Sequence, residues 1–398
     1  MVSIRTIANH KYKKKTQSDR KGRETLKKVL FCANVYRHLT SFHMPYIYML
    51  RNNGYKIYLL ASDDYGNDKK NLVNEGFECI DIPYSRNPLS FSNLKIFLKI
   101  RKLLKENEFD IIHVHTPIIS FITRIASYRV SVGKMIYTAH GFHFYKGSSI
   151  LNWLLYFPLE KLASNFTDTL ITINQEDYKT ALKYFGDKCK VLWIEGVGVN
   201  INISRRDDLE LDKLRDSLKL RKDDFVISYI AELNDNKNQM FLFKNWKEIN
   251  KNIPNAKLLI IGEGTNKTKY LEYIKMNKLA NIEFLGYRKD VEVILQITNV
   301  VTLLSHREGL PKSVMEAMSL GIPCVVTNTR GLRDLIKDGE NGFVIDIYDD
   351  VRLINSFLKL YYDVGIYNEY KSNTLNKIKN YSYESVKKKY MEVYEIYI

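Results

Sequence analysis

The sequence predicts an α/β protein of two doubly wound domains, and three observations carry that prediction. Short apolar runs recur along the chain and alternate with longer stretches of helical spacing, the pattern of parallel strands joined by crossover helices. The alternation stops once, at Gly196-Val-Gly198 and the polar run Asn200 to Asp212, and then begins again. At 398 residues the chain also exceeds one ordinary core.

After a polar, basic leader over residues 1–25, Lys28 to Ala33 reads as the first strand. Phe42 to Asn52 reads as a helix stopped by Asn53-Gly54. Strands are expected at Lys56–Ala61, Phe77–Ile82, Ile111–His115, Lys134–Ala139, Thr169–Ile173 and Val191–Ile194, because each is a buried-looking run of strand length. Helices are expected at Asn93–Glu106, Ile119–Tyr128, Leu151–Ala163 and Glu176–Phe185. The second alternation gives strands at Phe225–Ala231, Lys257–Gly262, Ile282–Leu285, Val300–Leu304, Cys324–Thr327 and Gly342–Ile345. The tail places Tyr, Val and Met at helical spacing among Lys and Glu, which predicts a last amphipathic helix. The expected organisation is a leader (1–25), a first domain (26–199), a second domain (200–380) and a terminal helix (381–398) packing back toward the first. A ligand is expected where the carboxyl ends of the two sheets meet in a cleft.

Composition narrows the function classes. The net charge of +16 favours nucleic acid, an anionic membrane surface or phosphorylated substrates as partners. Nucleic acid is set aside, since no zinc-finger spacing or RNA-binding signature occurs. The four cysteines, Cys32, Cys79, Cys189 and Cys324, sit apart in or beside apolar runs and form no Cys-x-x-Cys pair, so they read as reduced core residues of a cytoplasmic protein. No apolar signal region and no run of spanning length is seen, so any membrane contact is expected to be peripheral, on the inner face of the cell membrane.

The chemistry is concentrated from Ser305 to Gly321. A strand, a tight loop and a helix start follow one another there, with Pro311 where a first helical position tolerates proline. Glu308 in the loop and Glu316 in the helix flank a helix N-terminus, whose unsatisfied N–H groups and dipole attract anions. Val314, Met315, Ala317, Met318 and Leu320 leave little polar face around Glu316, so an ordinary solvated position does not account for it. Lys237, on the loop after the first strand of the second domain, is placed to neutralise a diphosphate. Gly262-Glu-Gly264 lacks the third glycine of a dinucleotide fingerprint, with Lys267 in its place, and reads as a strand-end turn. In Leu285-Gly-Tyr-Arg-Lys-Asp290, Gly286 permits close approach to a planar base, while Arg288 either reaches a phosphate or pairs with Asp290.

His113-Val-His115 and His140-Gly-Phe-His143 end two strands of the first domain. His-x-His puts both rings on one strand face and raises zinc, but neither pair brings a cysteine or a nearby acid, so no metal is expected. His140, followed by Gly141, is the best placed to reach a ligand. The chain has no Gly-x-Ser-x-Gly elbow, no phosphate-loop Gly-Lys-Ser/Thr and no Asp-x-Asp, which leaves cationic side chains and a helix dipole to balance a leaving diphosphate.

At Glu308 to Pro323 the chain resembles the retaining GT-B glycosyltransferases of family 4. The resemblance extends to Ser41–Pro45, Tyr84–Pro88, His113–Pro117, Tyr137–Phe144, Glu232–Gln239 and Gly331–Ile336, segments similar to the bacterial capsular and exopolysaccharide branch. It implies two Rossmann-like domains, a nucleotide-sugar donor (a UDP-sugar) on the second and a lipid-linked saccharide acceptor on the first. It also implies metal-independent transfer with no cofactor beyond the donor. By the same resemblance Glu316 binds the ribose hydroxyls and Glu308 the donor sugar. The Gly309-Leu310 backbone and Pro311 hold the sugar and distal phosphate, and Lys237 holds the diphosphate. Gly286, Tyr287 and Arg288 line the nucleotide, and His140 approaches the sugar. Two departures stand out. Arginine is common in the family where Glu232 stands, with Arg288 the expected substitute, and the usual glycine-rich first loop is replaced by the bulky, polar Asn34 to Pro45. Two other readings compete: a nucleotide-sugar epimerase or hydrolase using the same cleft, which would turn over donor alone, and a non-catalytic basic module on membrane or nucleic acid, whose binding would be salt-sensitive.

Overall fold

The computed structural model describes residues 26–63, 66–83 and 92–395. The basic leader and the segment Tyr84 to Pro88 lie outside the described residues. The chain divides into two compact units: residues up to Ile194 together with those from Lys387 onward, and Glu195–Val386.

The first unit runs β1 (Lys28–Val35), α1 (Tyr36–Phe42), α2 (Met44–Asn52), β2 (Lys56–Ser62), α3 (Asp68–Asn74), β3 (Glu78–Asp81), α4 (Ser92–Glu106), β4 (Ile111–His115), α5 (Pro117–Ala126), β5 (Lys134–Ala139), α6 (Ile150–Ala163), β6 (Thr169–Thr172), α7 (Gln175–Phe185) and β7 (Lys190–Trp193). Its strands form one parallel sheet in the order β3-β2-β1-β4-β5-β6-β7. β4, β5 and β6 are apolar along most of their length because helices cover a doubly wound sheet on both faces. The order reverses between β1 and β4, so the loops after these strands diverge and leave a crevice at their carboxyl ends. Asn34 and Thr116 meet there, Thr116 Oγ1 accepting from the Asn34 amide at 3.1 Å and donating to Asn34 Oδ1 at 3.0 Å. Thr116 holds φ of 63°, a strained value for a β-branched residue that this pair of bonds helps to maintain.

The second unit runs α8 (Asp208–Ser217), β8 (Phe225–Ile230), α9 (Gln239–Asn252), β9 (Ala256–Ile261), α10 (Lys267–Met276), β10 (Ile282–Gly286), α11 (Val291–Leu295), β11 (Val300–Leu303), α12 (Lys312–Ser319), β12 (Cys324–Thr327), α13 (Leu332–Leu335), β13 (Gly342–Ile345), α14 (Asp350–Tyr362) and α15 (Val364–Ile378). Its parallel sheet is ordered β10-β9-β8-β11-β12-β13, with the reversal between β8 and β11. Trp246, fully buried on α9, anchors its core and donates Nε1–H to the Ala280 carbonyl at 2.7 Å. The last helix, α16 (Tyr383–Glu395), starts in the second unit, and its residues from Lys387 belong to the first. Within the first unit Tyr390 packs on Tyr46 with ring centroids 4.4 Å apart, and the Tyr394 hydroxyl bonds His113 Nδ1 at 2.7 Å.

The element expectations fail in instructive places. The helix expected over Phe42–Asn52 is α2, which begins at Met44, and α1 was not anticipated where a loop was expected from Asn34 to Pro45; the two helices part at His43, because Pro45 has no N–H for the Ser41 carbonyl and its ring crowds that turn. The polar run taken as linker begins α8: Asp207 caps it, its carboxylate accepting from the Glu210 amide at 2.8 Å, with Asp208 and Glu210 in the first turn. The short α3 was not anticipated. Residues 195–199 group with the second unit, where Val199 exchanges backbone bonds with Tyr381 and Tyr383 at 2.9 and 3.0 Å.

Candidate active site

In the second unit the reversal of strand order brings together the loops after β8 and β11. Asn236 stitches them, its Nδ2 donating to the Arg307 carbonyl at 3.0 Å and its own carbonyl accepting from the His306 amide at 2.8 Å. The buried Tyr229 hydroxyl, at the end of β8, accepts from the Leu304 amide at 2.8 Å and donates to the Lys237 carbonyl. Asn234 Oδ1 takes the Lys237 amide at 3.0 Å, and Asn238 enters α9 with φ of 54°. These bonds leave Lys237 one outcome: its Nζ lies 2.6 Å from Glu308 Oε1, with the lysine side chain 22% and the glutamate 9% exposed.

From Glu308 the chain turns through Gly309, Leu310 and Pro311 into α12. Pro311 is the residue just before the helix (φ −73°, ψ 121°), one place earlier than expected, and the turn carries no side-chain cap, so the first N–H groups of α12 are open to an acceptor. The loop is clamped from behind. Arg330 Nε donates to the Glu308 carbonyl at 3.2 Å, and Gly331, at φ of 73°, lies so close to Gly309 that a Cβ there would sit 2.0 Å from its carbonyl oxygen. One turn into α12, Glu316 is a third exposed and faces Lys312 at 3.5 Å. Burial raises its carboxyl pKa against the pull of Lys312. Because the folded state disfavours the ionised form, Glu316 costs stability as pH rises past the usual carboxylate range, a cost that a hydrogen-bonding ligand would offset.

The glycines beyond β9 serve packing: a Cβ on Gly262 or Gly264 would collide with the carbonyl oxygens of Ala231 and Leu233 at 2.0 and 2.3 Å. Gly286 holds φ of 67° beside the Glu263 carboxylate, and Tyr287 is 74% exposed. Arg288 makes a bidentate pair with Asp290 at 2.8 and 2.6 Å, the local alternative the sequence left open. Glu232 is exposed and enters the network only through its carbonyl, which accepts from Gln239 Nε2 at 2.9 Å.

In the first unit His140, after β5, does not stand alone. It joins His38 of α1, His43 at the α1–α2 break and His115 at the end of β4, one ring nitrogen from each lying within 4.8 Å of all the others. His113 is outside this group, satisfied by Tyr394 and by Thr138 Oγ1 at 2.8 Å, so His-x-His supplies one member rather than two. His143 stacks on Tyr156 instead. Burial holds the His38 pKa down to about 4 and those of His43, His115 and His140 well below the ordinary value, so all four rings are neutral at physiological pH.

Sequence reasoning singled out Lys237, Glu308 and Glu316 but not Tyr229, Asn236 and Arg330, which hold the loops of Lys237 and Glu308, nor His38 and His43. The one available signal was chemical: a tyrosine ending a core strand, and an arginine directly before a glycine. In sum, the second unit offers an ammonium, two carboxylates and open helix-start amides at one sheet edge. That set has the chemistry to bind an anion while accepting hydrogen bonds from hydroxyls.

Comparison with known proteins agrees with this chemistry. A family model described as glycosyl transferases group 1 matches residues 211–383, and one described as glycosyl transferase 4-like matches 28–174. EpsD of Bacillus subtilis strain 168 is 38% identical over 340 residues, covering 84% of this chain and 88% of the relative. UDP-Gal:alpha-D-GlcNAc-diphosphoundecaprenol alpha-1,3-galactosyltransferase of Escherichia coli is 31% identical over 300 residues, covering 74% and 77%. Among solved structures, HepE of Anabaena, determined with UDP and glucose, superposes with a TM-score of 0.75 at 19% identity over 93% of this chain and 99% of its own.

Proposed function

The chain belongs to the group 1 glycosyl transferases, and from that premise we propose that it moves a sugar from a UDP-sugar to a lipid-linked saccharide, with retention, in capsular or exopolysaccharide assembly. The observation that carries the reading is the Lys237–Glu308 pair at the strand-order reversal, beside the open start of α12. The E. coli relative's name specifies a UDP-linked donor and a diphosphoundecaprenol-linked acceptor, which supports those two classes here.

In this reading Lys237 turns from Glu308 toward the diphosphate, and the α12 amides take its remaining charge. Glu308, relieved of its partner, accepts hydroxyls of the donor sugar, and Glu316 accepts those of the ribose. The bond from the anomeric carbon to the distal phosphate breaks as the acceptor oxygen bonds the same face, and the acceptor's proton passes to the leaving phosphate. No enzymatic nucleophile or metal is required; catalysis is positioning and charge stabilisation. The test offers nucleotide sugars with and without lipid-diphosphate-linked saccharides and reads products by mass spectrometry. Acceptor-dependent addition of one sugar is expected, whereas rapid turnover of donor alone would establish the hydrolase or epimerase reading instead.

Removing the ribose contact gives a direct binding result. Glu316→Ala weakens UDP affinity by about 10- to 150-fold, the equivalent of ~1.5–3 kcal/mol for a hydrogen bond to a charged group, with the fold intact. Calorimetric titration with UDP decides it, and unchanged affinity refutes the assignment.

The lipid-linked acceptor calls for a membrane contact on the cytoplasmic face. Among the described residues no helix is long and apolar enough to cross a membrane. α6 exposes Ile150, Leu154, Pro158 and Leu162 at four-residue spacing, with Leu151 alongside and the exposed Lys146 and Lys161 nearby. An apolar stripe flanked by lysines suits an anionic surface. Leu151→Asp with Leu154→Asp lowers affinity for anionic vesicles at least about tenfold in a sedimentation assay, since each leucine brings up to ~1.5–3 kcal/mol of burial. Equal binding by the variant removes α6 as the contact.

A further inference from the structure

Four neutral imidazoles from three separate segments converge in the first unit, and the group holds no acid. His43 and His115 are fully enclosed, and His38 and His140 are partly buried. The bonds recorded among the rings are His43 Nε2 to His38 Nε2 at 3.3 Å and His140 Nε2 to His115 Nδ1 at 3.4 Å. His115 Nε2 is buried with no hydrogen-bond partner among the described residues, so hydrogen bonding alone does not account for this cluster. Ordinary core histidines look different, as His113 demonstrates with both ring nitrogens bonded.

Metal geometry accounts for the convergence of the four rings, with His115 ligating through the Nδ1 that faces His140. Four imidazoles around a tetrahedral zinc at ~2.0–2.1 Å place their ligating nitrogens about 3.3 Å apart and their ring centroids about 5 Å apart. The two nitrogen pairs above, at 3.3 and 3.4 Å, already stand at that edge length. Five of the six centroid separations, from 4.8 to 6.1 Å, lie near the second value: His38 with His43, His115 and His140, His43 with His140, and His115 with His140. The exception is the stacked pair His43–His115 at 3.8 Å, whose rings would have to part by about 1.2 Å to admit the ion.

We propose that His38, His43, His115 and His140 bind one transition-metal cation, Zn2+ by ligand type and geometry. Imidazole nitrogen is a zinc ligand, and each of the four rings offers one such nitrogen within 4.8 Å of all the others. Imidazole suits zinc, copper and nickel alike, and a four-coordinate, non-planar cage favours the ion with no demand for a square plane. With four protein ligands the site is closed, leaving no open position for water or substrate, so the cation holds rather than reacts. It fastens the α1–α2 break to the ends of β4 and β5, at the strand-order reversal of the first unit. This explains why the segment from Asn34 to Pro45, expected as a loop and folded largely as α1, is bulky and polar: it carries two of the ligands. The inference stands on the first unit alone and does not depend on the glycosyl-transfer reading; it gives His140, expected to approach the sugar, to the metal through Nε2.

The test uses the full chain, stripped with chelator and shown folded by circular dichroism, then titrated with Zn2+ by calorimetry and with Co2+ by visible spectroscopy. One ion per chain, a raised melting temperature with Zn2+ and the absorption bands of tetrahedral cobalt are expected. His38→Gln and His43→Gln should each cut Zn2+ affinity by more than the roughly 10- to 100-fold that loss of an outer-shell partner costs. UDP titration of the same variants reports separately on the second unit. A folded, stripped chain that takes up no zinc, or zinc binding that is unaltered in both variants, overturns the proposal.

Discussion

Glu308→Gln lowers kcat for sugar transfer about 10²- to 10³-fold while UDP affinity is unchanged, an effect of the size seen when one preorganised electrostatic contact is removed. The reason lies in the pair itself. Glu308 is nearly enclosed, its carbonyl is fixed by Arg330, and its carboxylate grips Lys237 at 2.6 Å. Glutamine keeps the volume and the loop but removes the charge that accepts the sugar's hydroxyls as positive charge develops at the anomeric carbon. Rates measured at saturating donor, beside a UDP titration, separate the two effects. If affinity collapses together with rate, Glu308 is holding the nucleotide and its assignment to the sugar fails.

A comparably large effect, on stability, is expected from Arg124→Met in the first unit. Arg124 is 1% exposed, and its Nη2 reaches both oxygens of Glu160 at 2.9 and 3.0 Å. Its Nε donates to the Ser120 carbonyl at 3.1 Å, and the guanidinium lies 4.1 Å over the Tyr137 ring. One side chain therefore ties α5, α6 and β5 together. Methionine fills the space but leaves the Glu160 carboxylate buried without its partner, a loss of about 3–5 kcal/mol. The double variant Arg124→Met, Glu160→Leu removes both charges and should recover most of that loss, because desolvation of an ion pair roughly cancels its attraction. Urea unfolding of the single and double variants at matched slopes reads the difference. Equal stability of single and double variants would falsify the account.

Much of the fold was legible because a doubly wound sheet writes itself into sequence as apolar runs at strand length. Ile111–His115 and Cys324–Thr327 were located to the residue. Local chemistry that acts at a distance was not legible. Pro45 was visible, yet the break it makes at His43, and the short helix α1 ahead of that break, were not. Asp207 looked like linker until its carboxylate was found capping α8. Arg288 was open between two partners, and only its geometry placed it on Asp290.

By itself the sequence determined the class of fold, the family and the acidic pair Glu308 and Glu316, since strand periodicity and a loop-to-helix motif are local in the chain. The tertiary structure alone decided which residues meet. Lys237 lies 71 positions from Glu308 and reaches it because the order of β8 and β11 reverses there and Asn236 and Tyr229 pin the two loops. His38, His43, His115 and His140 become one group for the same physical reason. Parallel strands deliver all their carboxyl ends to one edge, so residues far apart in sequence become neighbours only when the sheet is assembled.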